Sequence, residues 1–91
     1  MLPVVWKNSA KNDLMEIIGY IADKNPDAAE RFKTHIEKAA ELLSIVPMGF
    51  RKGITLGTRE YLVHPNYFLV YEIEAGQVSI LRVIHSRRQY P

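Results

Sequence analysis

Three runs of strand-forming residues, over 59–64, 67–74 and 77–85, follow one another with only Pro65-Asn66 and Ala75-Gly76 between them. Connections of two residues leave no room for a crossover, because parallel neighbours need a dozen or more residues to join them. These runs are therefore expected to form an antiparallel meander. With plain two-residue turns, side-chain alternation puts Tyr61, Val63, Phe68, Val70, Leu81 and Val83 on one face. The opposite face then collects Glu60, Leu62, His64, Tyr67, Leu69, Tyr71, Ile80, Arg82 and Ile84. The first set is nearly all apolar and is the expected seat for helices. The second is too apolar to stand bare in water, so it is expected either to receive another macromolecule or to pack against the chain's own tail or the 47–57 loop.

The first half of the chain supplies those helices. Val4, Val5 and Trp6 predict a short strand over residues 3–7, and Asn8 and Ser9 are candidate helix caps. Ala10, Leu14, Ile17, Ile18 and Ile21 repeat at helical spacing. Pro26 disfavours helical geometry at Asn25, so this helix is expected to stop near Lys24. Asn25-Pro26-Asp27 is in turn a start signal, with Asn25 as cap and Pro26 at the first helical position. Ala28, Ala29, Phe32, Ile36, Ala39, Ala40 and Leu43 form the apolar stripe of a second helix that ends before Pro47. Residues 47–57, punctuated by Gly49, Gly53 and Gly57, read as a loop. The order is β-α-α-β-β-β. The fold class expected is α+β, a helical hairpin packed on one face of an antiparallel sheet, with residues 1–91 as one domain.

Composition narrows the function. The chain has no cysteine, so disulfides and thiolate chemistry are excluded. No apolar run approaches the ~18–20 residues of a membrane span, so a cytoplasmic location and no membrane partner are expected. His35, His64 and His85 are separated in the expected topology, with His35 on the second helix and away from the other two. No metal site is expected, and no cofactor. Charge is uneven: residues 1–50 hold six Lys/Arg against seven Asp/Glu, and residues 51–91 hold six against three. The basic end suits an anionic partner, although ordinary solubilising charge would look the same. His85-Ser86-Arg87-Arg88-Gln89-Tyr90 is the densest polar run. An imidazole titrating near neutrality beside guanidiniums suits acid–base chemistry on a phosphodiester, and Tyr90 could stack on a base. The plainer reading of the same run is a solvated basic tail.

Gly57-Thr58-Arg59-Glu60, Val63-His64-Pro65-Asn66-Tyr67, Val70-Tyr71-Glu72-Ile73 and the run from Ile80 to Pro91 together resemble the RelE/ParE toxins of type II toxin–antitoxin systems, closest to the ParE-like branch. The resemblance spans the whole chain. It implies a growth inhibitor, linked to plasmid stabilization, that is neutralised by a cognate antitoxin wrapping the toxin as it folds. Operator DNA would be touched only through the antitoxin. For the target it implies DNA gyrase in the ParE-like branch, or ribosome-bound mRNA cut by an endoribonuclease in the RelE-like branch. An inactive antitoxin-binding module is a third alternative. Target-binding residues expected on this basis are Arg82, His85, Arg87, Arg88 and Tyr90, and antitoxin-binding residues are Met15, Ile45, Leu62, Leu69, Tyr71 and Ile80. If the chain is a nuclease, the candidate catalytic set is His64, Tyr67, Arg82, His85, Arg87 and Tyr90. Departure from the nuclease pattern lies at Val63-His64, where that branch tends to place an arginine; the nearest one, Arg59, is expected to pair across the sheet with Glu72.

Overall fold

A computed structural model describes residues 1–88 and Tyr90. Strand β1 (Val4–Trp6) leads into helices α1 (Asn8–Lys24) and α2 (Pro26–Leu42), followed by strands β2 (Arg51–Lys52), β3 (Thr58–His64), β4 (Tyr67–Glu74) and β5 (Gln77–His85). The sheet order is β1-β5-β4-β3-β2. The meander β3-β4-β5 is antiparallel as expected, while β1 adds to β5 in parallel and makes the sheet mixed. The loop after α2 contributes β2, which pairs briefly with β3.

Local chemistry explains the helix boundaries. Asn25 ends α1 with extended backbone, and its side-chain oxygen accepts from the Ala28 amide to cap α2, with Pro26 in the first turn. The start of α1 differs from expectation. Lys7 is the capping residue and gives no side-chain hydrogen bond, while Ser9 donates its hydroxyl to the Leu81 carbonyl of β5. Ala75 and Gly76 both adopt positive φ, the geometry of a type I′ hairpin whose twist matches its strands.

Both turns have two residues, with His64 opposite Tyr67 and Glu74 opposite Gln77. Beyond each turn the register slips by one. Leu62 faces Phe68, leaving Val63 as an extra residue, and Val70 faces Arg82 while Tyr71 faces Ile80, leaving Leu81 as another. Such bulges reverse the side-chain parity of one strand against its neighbour. The helix-covered face therefore carries Tyr61, Val63, Tyr67, Leu69, Tyr71, Val78, Ile80 and Val83. Phe68, Val70 and Ile84 cluster separately, with Tyr90 against them. The expected faces hold for Tyr61 and Val63 and are exchanged along β4. On β5 Ile80 likewise belongs to the helix side, with Val83 kept there by the extra residue.

The main core joins this face to Ala10, Phe32, Ile36, Ala40 and Leu43 from the helices, with Trp6 and Leu14 packed at its margin. Tyr71 is fully buried, and its hydroxyl donates to the Pro47 carbonyl, anchoring the loop that follows α2. Burial pushes the Tyr71 phenol above its ordinary pKa, with Arg59 opposing. Gly53 is required by contact: a Cβ there would clash with the Thr58 side chain.

Candidate functional site

The expected site residues fall into three neighbourhoods. Arg82 belongs to the joint between β5 and α1. Its Nε donates to Asp13 Oδ2 at 2.6 Å and its Nη2 to Oδ1 at 3.2 Å, while the Val83 amide donates to Oδ2 at 2.9 Å. Asp13 thus takes up the edge of β5 beyond the end of β1 and neutralises the guanidinium. The hydrogen bond that Arg82 donates to Asp13 is the largest cause raising the Arg82 pKa above its ordinary value.

The second neighbourhood is an aromatic and imidazole cluster at the end of the sheet. Tyr67 lies with its ring centroid 5.7 Å from His64 and 5.1 Å from His85, and Phe32 of α2 meets the His64 and Tyr67 rings edge-on. His35 is part of this group, contrary to expectation: its ring is 6.4 Å from His64, and its Nε2 lies 2.6 Å from the Val63 carbonyl. The bulge at Val63 presents that carbonyl to α2. Burial, then the neighbouring His35, lower the His64 pKa below its ordinary 6.5, and burial raises that of Tyr67.

The third neighbourhood lies on the reverse side of the sheet. Phe68 is the floor, with the Tyr90 ring at 5.4 Å and the Arg51 guanidinium 5.8 Å from its centroid. Arg51 Nε is ion-paired with the buried Glu60 at 2.7 Å. This side was expected to receive either another macromolecule or the chain's own tail or 47–57 loop. The chain's own Tyr90 and Arg51 cover its apolar centre, and an open cleft of about 440 Å³ remains, bordered by Arg51, Phe68, Ser86, Arg88 and Tyr90. Among the described residues, the buried Tyr90 hydroxyl meets no hydrogen-bond partner. Arg87 and Arg88 are exposed, and among the described residues neither meets a carboxylate. Gln89 and Pro91 of the sequence motif lie outside the described residues.

Several expectations are corrected by these placements. Leu69, Tyr71 and Ile80 were expected to bind an antitoxin, but each is fully buried beneath the helices. Met15, Ile45 and Leu62 are exposed, at 71%, 62% and 55%. Arg59 does not pair with Glu72: Thr58 stands opposite Glu72, and Arg59 donates to the Phe50 carbonyl at 2.7 Å and weakly to that of Met48. The nuclease candidates are divided. His64, Tyr67 and His85 gather at one end with the exposed Arg87 next to His85, Arg82 is occupied by Asp13, and Tyr90 packs on Phe68. Sequence reading missed Asp13, Arg51 and His35. A signal existed for Asp13, an acid one turn into a helix whose apolar face continues on both sides of it.

Two helices over a sheet whose last strand joins the first, with a basic end beside a reverse-side cleft, define a small α+β fold. The superposition with the chromosomal ParDE TA system of P. aeruginosa gives a TM-score of 0.84 at 18% identity, covering 93% of this chain and 96% of the other. The toxin–antitoxin complex RelBE2 of Mycobacterium tuberculosis matches with a TM-score of 0.63 at 26% identity, over 92% of this chain and 96% of the other. In sequence the chain is 36% identical over 88 residues to Toxin RelE2 of Caulobacter vibrioides, covering 97% of this chain and 99% of that protein. Residues 4–90 match the family model of the ParE toxin of the type II toxin–antitoxin system parDE. The chain belongs to this toxin family, within the RelE/ParE superfamily. Among the described residues, no helix is long and apolar enough to cross a membrane.

Proposed function

We propose that the chain inhibits growth by binding DNA gyrase through its basic end, with Arg87, Arg88, His85, Tyr90 and the reverse-side cleft as the contact surface. The observation carrying this reading is the division of the nuclease candidates. Cleaving a phosphodiester needs an acid–base group and a phosphate-holding cation aimed at one atom. Here Arg82 is neutralised by Asp13 and Tyr90 sits in a different neighbourhood from His64 and Tyr67. Exposed arginines beside a cleft suit recognition of another macromolecule without chemistry. A cognate antitoxin is the second partner, as in the complexes of the structural relatives. Met15, Ile45 and Leu62 are among the exposed apolar residues available to it. Operator DNA enters through the antitoxin.

Expression without antitoxin is expected to arrest replication and trap gyrase on cleaved DNA, with transcripts intact. The double variant Arg87→Glu, Arg88→Glu is expected to lose toxicity by tenfold or more in the dose tolerated, since each reversed charge at a docking rim costs on the order of 1 kcal/mol or more. Growth arrest with normal supercoiling, accompanied by transcript cleavage within codons that His85→Ala abolishes, would overturn the gyrase reading in favour of the ribosome. Harmless expression would point to an inactive antitoxin-binding module.

A further inference from the structure

His64 and His85 close two turns in the same way. The Asn66 amide donates to His64 Nδ1 at 3.0 Å, and the Arg87 amide donates to His85 Nδ1 at 3.1 Å. A backbone N–H can only donate, so each Nδ1 must offer a lone pair, and each neutral ring carries its proton on Nε2. A charged imidazole has N–H groups on both nitrogens. Either turn would then bring two donors head to head. The turns are also tied to each other. The Ser86 amide donates to the Asn66 carbonyl at 2.8 Å, the Ser86 hydroxyl donates to the Pro65 carbonyl at 3.2 Å, and the Tyr67 ring stands between the two imidazoles.

We propose that the His85 turn is a proton-sensitive latch on the basic tail: paired with the His64 turn, it holds residues 86–88 against the β3–β4 turn while the His85 imidazole is neutral, and releases them on acidification. The surrounding groups favour release over capture of the charged ring. From α2, His35 and Arg31 share a cleft with His64, and from β4 Tyr67 contacts both imidazoles, with Tyr20 of α1 electrostatically coupled to it. Beyond His85 the tail itself carries Arg87 and Arg88. Among the described residues, neither His64 nor His85 is ion-paired with a carboxylate. The low pKa of His64 agrees with this setting. The bearing on gyrase rests on the reading above, but the latch itself is a property of the free chain.

The test is nitrogen-15 NMR of the purified chain across the histidine titration, with His85→Asn and His85→Ala alongside. Asparagine Oδ1 accepts the amide two residues on, as Nδ1 does, and does not titrate. At neutral pH and above, both rings are expected in the Nε2–H form. On acidification the Asn66 and Arg87 amide shifts should follow the ring signals. The order parameters of 86–88 should fall from the rigid range near ~0.85 to below ~0.6. His85→Asn should keep the tail ordered and erase the Arg87 response while leaving that of Asn66, and His85→Ala should loosen the tail at every pH. An Nδ1–H tautomer, an Arg87 amide and tail indifferent to ring titration, or an unchanged acid response in His85→Asn would each overturn the latch. None of these outcomes involves gyrase, so the latch and the target reading fail separately.

Discussion

Asp13 accepts three hydrogen bonds from β5, two from the Arg82 guanidinium and one from the Val83 amide. Its carboxylate is largely enclosed and Arg82 is partly exposed, which discounts the ion pair but leaves the amide bond in full. Asp13→Ala is expected to destabilise the fold by about 2 kcal/mol, the usual scale for losing hydrogen bonds to a charged group, as read by urea unfolding. Arg82 and Arg88, six positions apart, are thereby set in different surroundings: one fastens the edge of the sheet, and the other is exposed and meets no carboxylate among the described residues. Ala75 offers the opposite change. It holds φ of 50° in the β4–β5 turn, a left-handed geometry that costs a non-glycine residue roughly 1 kcal/mol. Ala75→Asn creates the favoured Asn-Gly pair and is expected to raise the melting temperature by a few degrees, corresponding to about 0.5–1 kcal/mol.

Two extra residues, Val63 and Leu81, decide which side chains of the meander meet the helices. Leu62 and Leu69 test that arrangement, because unbulged strands would put them on one face. Leu69→Ala is expected to cost about 2–5 kcal/mol as a fully buried core truncation. Leu62→Lys, at an exposed position, is expected to change stability by no more than about 0.5 kcal/mol. Similar losses from both in chemical denaturation would contradict the bulges. The helices, their Asn25-Pro26 joint and both two-residue turns were legible in the residues, because caps, proline and spacing act locally. The bulges were not, since an extra residue in a strand is set by what packs on either side and leaves no dedicated residue type behind. That one blind spot misassigned Leu69, Tyr71 and Ile80 to a partner. Placement of β1 beside β5 and of His35 beside His64 was hidden for a related reason: long-range pairing is written in no local pattern. The exposed arginine tail could be read, because charge near the end of a strand run needs no register to be located.

Across the molecule, acid should act on stability as well as on the tail. His64 has a folded pKa below its ordinary 6.5, so in the interval between those values the unfolded chain binds the proton and the folded chain does not. His64's contribution is therefore harmless above the unfolded pKa. It destabilises progressively as pH falls through 6.5, levelling off below the folded value. A urea midpoint that declines over this range in the wild-type chain, with a smaller decline in His64→Asn, is the expected result; an equal decline in both would assign the effect to other groups. The sheet order has a consequence of another kind. Among the described residues β1 pairs with β5 alone, and β4 finds its second neighbour there, so the sheet stays in two pieces until Gln77–His85 has been made. A nascent chain interrupted before Gln77 has its first strand unpartnered and its helices resting on an incomplete floor. Such a product lacks the strand that joins the two pieces, and it is expected to stay unfolded and open to proteolysis.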